Sequence, residues 1–75
     1  MNKRAILTKD GFMVLGKVIQ ASYIFTNIQK TDEDSERTVY SALMKVPFSM
    51  PCSVVITDDN ITISALDGNN VHIKY

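Results

Sequence analysis

The sequence has few of the residues that stabilise a small protein through covalent or metal bonds. It contains one cysteine, Cys52, and one histidine, His72, among 75 residues. A single cysteine excludes an internal disulfide and is typical of a reducing compartment. No cluster of ligand residues has metal-binding spacing, so we expect neither a structural metal nor a cofactor. A chain of this size buries only about 60% of its unfolded surface, so self-association is the expected source of additional stability.

Long apolar runs and a net charge are also absent. No segment resembles a signal peptide or a membrane span, which favours a cytoplasmic protein with no membrane partner. Basic and acidic residues number eight each, so charge provides no general attraction to nucleic acid. Asp32, Glu33, Asp34 and Glu36 form an acidic stretch that is interpreted as a solvated loop. No nucleophile–base pair, paired carboxylates or phosphate-binding glycine loop has usable spacing, so we expect no enzymatic activity.

Turn residues separate short runs of β-forming residues. Lys9-Asp10-Gly11 predicts a hairpin turn between strands at 4–8 and 12–21, because Gly accepts the positive φ that such turns require. Gly16, inside the second strand, predicts the sharp bend that a very small barrel needs. Asp10, Gly11 and Gly16 are therefore assigned structural roles.

The remaining chain continues this pattern. Further strands are expected at 22–30, 53–57, 61–65 and 71–75. Residues 38–50 are compatible with a helix, a strand or an extended loop. The sequence thus predicts one mostly-β barrel domain over residues 1–75, with a long variable insert at about 31–52.

The second predicted strand is apolar on both faces. Val14 and Val18 lie on one face, and Met13, Leu15 and Ile19 lie on the other. A strand of this kind is buried on both faces. In so short a chain, we expect another subunit to supply the second cover.

Two short motifs, in this order, resemble the signatures of a known family. Lys9-Asp10-Gly11 with Val14, Gly16 and Val18 forms the first, and residues 66–71, Leu-Asp-Gly-Asn-Asn-Val, form the second. Together they resemble the Sm/LSm/Hfq family. The resemblance implies a strongly bent, five-stranded, SH3-like open barrel whose subunits pair edge to edge in a homo-oligomeric ring of about five to seven copies. It also implies binding of single-stranded RNA, or a role as an RNA-related assembly scaffold.

The family's RNA-contacting positions fall on two loops of this chain. Its Asp, base-stacking and Asn positions fall on Ser22, Ile24 and Thr26, and its Arg position falls on Asp67, followed by Gly68. Because a carboxylate repels phosphate, Asp67 predicts a non-standard base pocket. Nearby side chains that can stack on bases or hydrogen-bond to them complete the candidate RNA-binding set: Tyr23, Asn27, Asn69, Asn70 and His72.

Two alternatives remain open at this point. Residues 59–75 and Ile6-Leu7-Thr8 also resemble the carbon-storage regulator family, which ranks second. A protein-interaction module with no nucleic-acid role is the alternative function. The compact, uncharged chain would suit a small bacterial or phage protein.

Overall fold

The computed structural model describes residues 4–19, 21–47 and 49–75. In these residues it contains no helix and eight strands: β1 (Ile6–Thr8), β2 (Gly11–Val14), β3 (Lys17–Val18), β4 (Ile24–Glu33), β5 (Thr38–Val46), β6 (Met50–Ile56), β7 (Asn60–Ala65) and β8 (Asn70–Lys74). All pairs are antiparallel, and they form one sheet in the order β1-β2-β3 and a second in the order β4-β5-β6-β7-β8. The prediction of a mostly-β protein is confirmed, but the strand count differs from the predicted five.

The first hairpin forms at Lys9-Asp10, with Gly11 opening β2. Thr8 pairs with Gly11, whose φ of 128° lies in a region that few residues other than Gly adopt. The Thr8 hydroxyl donates to the Gly11 carbonyl at 2.9 Å and accepts from the Asp10 amide at 3.3 Å. Side-chain and backbone conformation therefore both favour reversal of the chain at this point.

The single long strand predicted over 12–21 is wrong. β2 ends at Val14, and β3 begins at Lys17 and pairs back onto β2. Leu15 and Gly16, between them, have φ values of 51° and 82°. Two consecutive positive φ values define a type I′ hairpin turn, whose twist matches that of the flanking strands. Gly16 therefore reverses the chain and does not bend a continuous strand.

The segment left open by the sequence, residues 38–50, contains all of β5 and the first residue of β6. β5 pairs with β4 on one side and β6 on the other, so the stretch 31–52 contributes a central strand of the larger sheet. Asp32 and Glu33 also differ from the expected loop, because they extend β4 while remaining exposed.

The core lies between the two sheets. Along β5, β6 and β7 alternate side chains are buried, which places one face of the larger sheet inward. Phe12 from the smaller sheet and Phe25 from the larger are both fully buried, and their rings meet edge to face at 5.6 Å. Burial of each such ring contributes about 2–3 kcal/mol. This aromatic contact joins the two sheets.

Arg4, which precedes β1, contacts two turns at one end of the larger sheet. Its guanidinium donates to the Asp34 and Ser35 carbonyls at 3.0 and 2.9 Å and to the Thr38 hydroxyl at 3.1 Å. Its Nε lies 3.4 Å from a carboxylate oxygen of Asp58. The β4–β5 and β6–β7 turns are thereby held together by a side chain that is only 8% exposed.

Candidate functional site

A cleft of about 90 Å³ opens at the end of the larger sheet opposite Arg4. It is lined by the segment before β4, the inward face of β5 to β8 near their ends, and the β7–β8 turn. The lining residues are Tyr23, Met44, Pro47, Met50, Ile63, Ala65, Asp67, Asn69 and Val71. Most of these side chains are apolar, and the polar groups come from one turn and one tyrosine.

Tyr23 forms one wall of the cleft and is held by the aromatic core. Its ring stacks on Phe25 with a centroid distance of 6.2 Å and an interplanar angle of 18°. It also lies 6.3 Å from the Phe12 ring in a tilted arrangement. Next to it, the Phe25 amide donates to the Lys9 carbonyl at 3.0 Å, which ties this segment to the first hairpin. These contacts fix the Tyr23 ring in place. Because Tyr23 is only half-buried, part of its surface remains exposed.

The β7–β8 turn forms the polar rim of the cleft. The Asn69 amide donates to one oxygen of the Asp67 carboxylate at 3.0 Å, and its Nδ2 donates to the other at 2.8 Å. The Gly68 amide donates to the Ala65 carbonyl at 3.1 Å, and Gly68 has a φ of 90°. The turn therefore holds an exposed carboxylate in a fixed orientation beside an apolar cavity.

One exposed apolar side chain lines the cleft. Seven large hydrophobic side chains are exposed among the described residues, and of these Val71 belongs to the cleft lining, whereas Ile24, Val46 and Leu66 adjoin lining residues only in the sequence. Leu66, the most exposed of the seven at 81%, lines a separate groove with Pro51, Ser53 and Ser64. An apolar cavity with an exposed apolar side chain in its lining is typical of a surface that a partner covers.

The charges are unevenly divided between the two ends of the larger sheet. Asp32, Glu33, Asp34, Glu36, Asp58 and Asp59, six of the eight acidic residues, lie in or beside the turns that Arg4 joins. No Lys or Arg is among the described residues that line the cleft. Lys45 follows Met44 in the chain and is exposed, as is Lys9. Within the described part of the chain, the cleft itself therefore presents a single carboxylate and no cation.

The structure brings together only part of the predicted site. Tyr23, Asp67 and Asn69 line the cleft, although 44 positions separate the first two in the chain (67 − 23). Gly68 belongs to the same turn, and Ser22 and Ile24 adjoin Tyr23.

The other predicted residues lie elsewhere on the larger sheet. Thr26 pairs with Leu43, and Asn27 has a φ of 53° at an irregularity in the β4–β5 ladder. His72 and Asn70 pair with Thr62 and Ser64, on the face of the sheet opposite the buried Ile61 and Ile63. The His72 Nδ1 lies 3.1 Å from the Thr62 hydroxyl. These four residues therefore do not line the cleft.

Most of the apolar lining was not assigned to a site by the sequence. Met44 and Met50 face each other across the β5–β6 ladder. From the sequence, filling of a core or a subunit interface is the preferred interpretation of these methionines, ahead of an adaptable binding surface. Their flexible thioethers suit a surface that adapts to its ligand.

Other reactive groups lie outside the cleft. Cys52 is buried opposite Ala42, and desolvation raises the pKa of its thiol above the ordinary value of 9.0. A raised pKa keeps the thiol protonated and unreactive near neutral pH. Among residues 4–19, 21–47 and 49–75, no group of three or more His, Cys, Asp or Glu side chains could hold a metal ion. The same described ranges contain no helix long and apolar enough to cross a membrane.

Comparison of the chain with protein families, with curated proteins and with solved structures finds no match. The functional argument therefore rests on the geometry of the cleft.

Proposed function

We propose that this protein is a small β-sheet interaction module that binds a segment of another protein at the cleft. The observation that carries the proposal is the apolar lining: seven of the nine described residues that line the cavity are apolar or aromatic, and one of them, Val71, is an exposed large hydrophobic residue. Protein interfaces combine an apolar centre, aromatic and Met side chains and few charges in the same way. Tyr23, Met44 and Met50 supply those residue types here.

The charge of the cleft also favours a protein partner. Nucleic-acid binding depends mainly on Lys and Arg contacts to phosphate. Among the residues that the structure describes, the lining contains no such cation and does contain Asp67. An apolar side chain of a partner would gain about 25 cal/mol for each Å² that it buries, with no need for phosphate neutralisation.

Selection of random displayed peptides tests this proposal, and two exposed β-branched residues provide a matched pair of variants. Val71 lines the cleft and is 38% exposed; Ile6 lies in β1, outside the cleft lining, and is 59% exposed. We expect Val71→Ser to weaken binding of peptides enriched on the original protein by about tenfold, as expected for an apolar interface contact. Ile6→Ser should leave their binding unchanged.

Equal loss of binding in both variants, or loss in neither, would contradict the proposed site. Circular dichroism melting of both variants serves as the folding control. Because both side chains are exposed, we expect each substitution to change stability by less than about 1 kcal/mol.

An Sm-like RNA-binding protein is the second candidate. It is favoured by a separate observation: Tyr23 on one predicted RNA loop and Asp67 and Asn69 on the other line the same cleft. In this function Tyr23 would stack on a base and Asn69 would hydrogen-bond to its edge. Fluorescence anisotropy with labelled oligouridylate and oligoadenylate of about ten nucleotides, at low and high salt, tests it directly. Salt-dependent binding that Tyr23→Ala removes would support this second function over the first.

Assembly into an Sm-like ring in the cytoplasm is also part of the proposal. In the described part of the chain, β8 pairs with β7 alone, so its other edge is open. A groove lined by Val14, Leu15, Lys17, Val18, Ile19 and Tyr75 lies beside the C-terminus. Open edges and apolar grooves of this kind favour pairing with another chain. Size-exclusion chromatography with light scattering should give a closed oligomer; a monomer at micromolar concentration would contradict the ring.

A further inference from the structure

We infer that the cleft accepts the side chain of an arginine residue in the partner segment. This inference rests on the proposed function and specifies the chemistry of the partner. An occupant must satisfy two features of the site together: an apolar cavity and a carboxylate fixed at its rim. Only a side chain with a hydrocarbon stem and a cationic end satisfies both.

The carboxylate of Asp67 is available to such a cation. Asn69 donates one hydrogen bond to each of its oxygens, which orients the group and leaves further acceptor capacity on each oxygen. No ion pair among the described residues involves Asp67. The carboxylate is therefore held in place without being neutralised.

A second acceptor lies beside this carboxylate. Nδ2 of Asn69 donates to Asp67, so the other atom of this amide, the side-chain oxygen, remains an acceptor. This oxygen accepts no hydrogen bond within the described residues. Two neighbouring acceptors suit the five fixed N–H donors of a guanidinium better than the single point charge of an ammonium.

The wall of the cleft also favours arginine over lysine. Tyr23 presents part of an aromatic ring that is held by Phe25 behind it. A guanidinium is weakly hydrated and stacks on aromatic surfaces, and its three methylene groups would contact Met44 and Met50. The charge and the shape of the cleft therefore both complement an arginine side chain.

Chemical-shift titration of ¹⁵N-labelled protein tests the inference with three blocked amino acids. These are N-acetyl-arginine N-methylamide, the neutral isostere N-acetyl-citrulline N-methylamide and the apolar N-acetyl-norleucine N-methylamide. We expect the arginine compound to bind at millimolar concentration and about fivefold more tightly than the citrulline compound. Added salt should reduce that difference.

Variants of two exposed aspartates separate charge recognition from general charge effects. Asp67→Asn should reduce arginine binding about fivefold while leaving norleucine binding unchanged. Asp10→Asn, in the β1–β2 turn and outside the cleft lining, should change neither.

Equal binding of the arginine and citrulline compounds would overturn the inference, as would insensitivity to Asp67→Asn. If only norleucine shifts the cleft amides, the inference fails while the proposed function stands. If none of the three compounds shifts those amides, both fail. Oligouridylate that shifts them in the same titration would favour the RNA-binding candidate.

Discussion

Replacement of Arg4 by Ala should destabilise the fold far more than loss of any other described charged side chain. The Arg4 side chain is 8% exposed, and its guanidinium donates to two turn carbonyls and to Thr38, which is itself 2% exposed. Hydrogen bonds from charged donors contribute about 1.5–3 kcal/mol each when buried and less where water replaces them. Two of the three acceptors are solvent-exposed carbonyls, so we expect a total cost of about 3 kcal/mol.

Thermal and urea unfolding followed by circular dichroism measure this cost. For a domain of this size, about 3 kcal/mol corresponds to a fall in Tm of roughly 12–24 °C. Arg37→Ala is the matched control, because it removes a guanidinium that lies in one of the turns that Arg4 contacts. Its contact with Asp34 spans 3.9 Å between half-exposed side chains and should contribute less than about 1 kcal/mol. A change in stability below about 1 kcal/mol in Arg4→Ala, or equal changes in both variants, would refute the assignment of Arg4 as the side chain that holds the two turns together.

Two further predictions concern the β2–β3 turn and the C-terminal tyrosine. Leu15→Asn should stabilise the protein by about 0.5–1 kcal/mol, because Asn tolerates a positive φ in a type I′ turn. Gly16→Ala should destabilise it by about 1 kcal/mol, although no atom of a described residue beyond its chain neighbours lies within 4 Å of the new Cβ; urea unfolding measures both changes. Tyr75→Phe should cost about 1–2 kcal/mol in the same assay, because the hydroxyl accepts from the Ala5 amide and donates to the Thr57 carbonyl. Burial raises the Tyr75 pKa above its ordinary 10.0, so its contribution is full below pH 10.0 and is lost as pH rises through the folded-state pKa. The alkaline loss of stability should therefore be smaller in Tyr75→Phe, and an unchanged pH profile would contradict this assignment.

The strands that alternate clearly in sequence were predictable, and those that depend on distant partners were not. Residues 61–65 and 71–75 alternate apolar and polar side chains, and they form most of β7 and β8. β5 could not be assigned because its apolar residues are also spaced as they would be on one face of a helix. Pairing with β4 on one side and β6 on the other decides its conformation.

The turn at Leu15-Gly16 was missed for a local reason. Leu rarely adopts a positive φ, so this dipeptide lacks the Asn-Gly or Asp-Gly signal that identifies a type I′ turn. The Gly alone indicated an irregularity without indicating which kind.

The cleft was partly foreseeable. The resemblance to the Sm/LSm/Hfq family placed Asp67 at an RNA-contacting position, and Tyr23 and Asn69 were added as neighbours of such positions; these three residues do line the cleft. Its apolar lining comes largely from Met44, Pro47 and Met50, inside the segment whose conformation the sequence left open. Whether the cleft favours a protein or an RNA ligand depends on that lining, so the sequence alone did not distinguish the two ligands.

The most direct test of the central proposal compares a peptide enriched by display selection with oligouridylate in parallel titrations of ¹⁵N-labelled protein. We predict that the peptide shifts the amides of Tyr23, Met44, Asp67 and Val71, which line the cleft, and that oligouridylate leaves them unchanged. Shifts caused by oligouridylate at these amides, or peptide shifts confined to other surfaces, would contradict a protein-binding cleft.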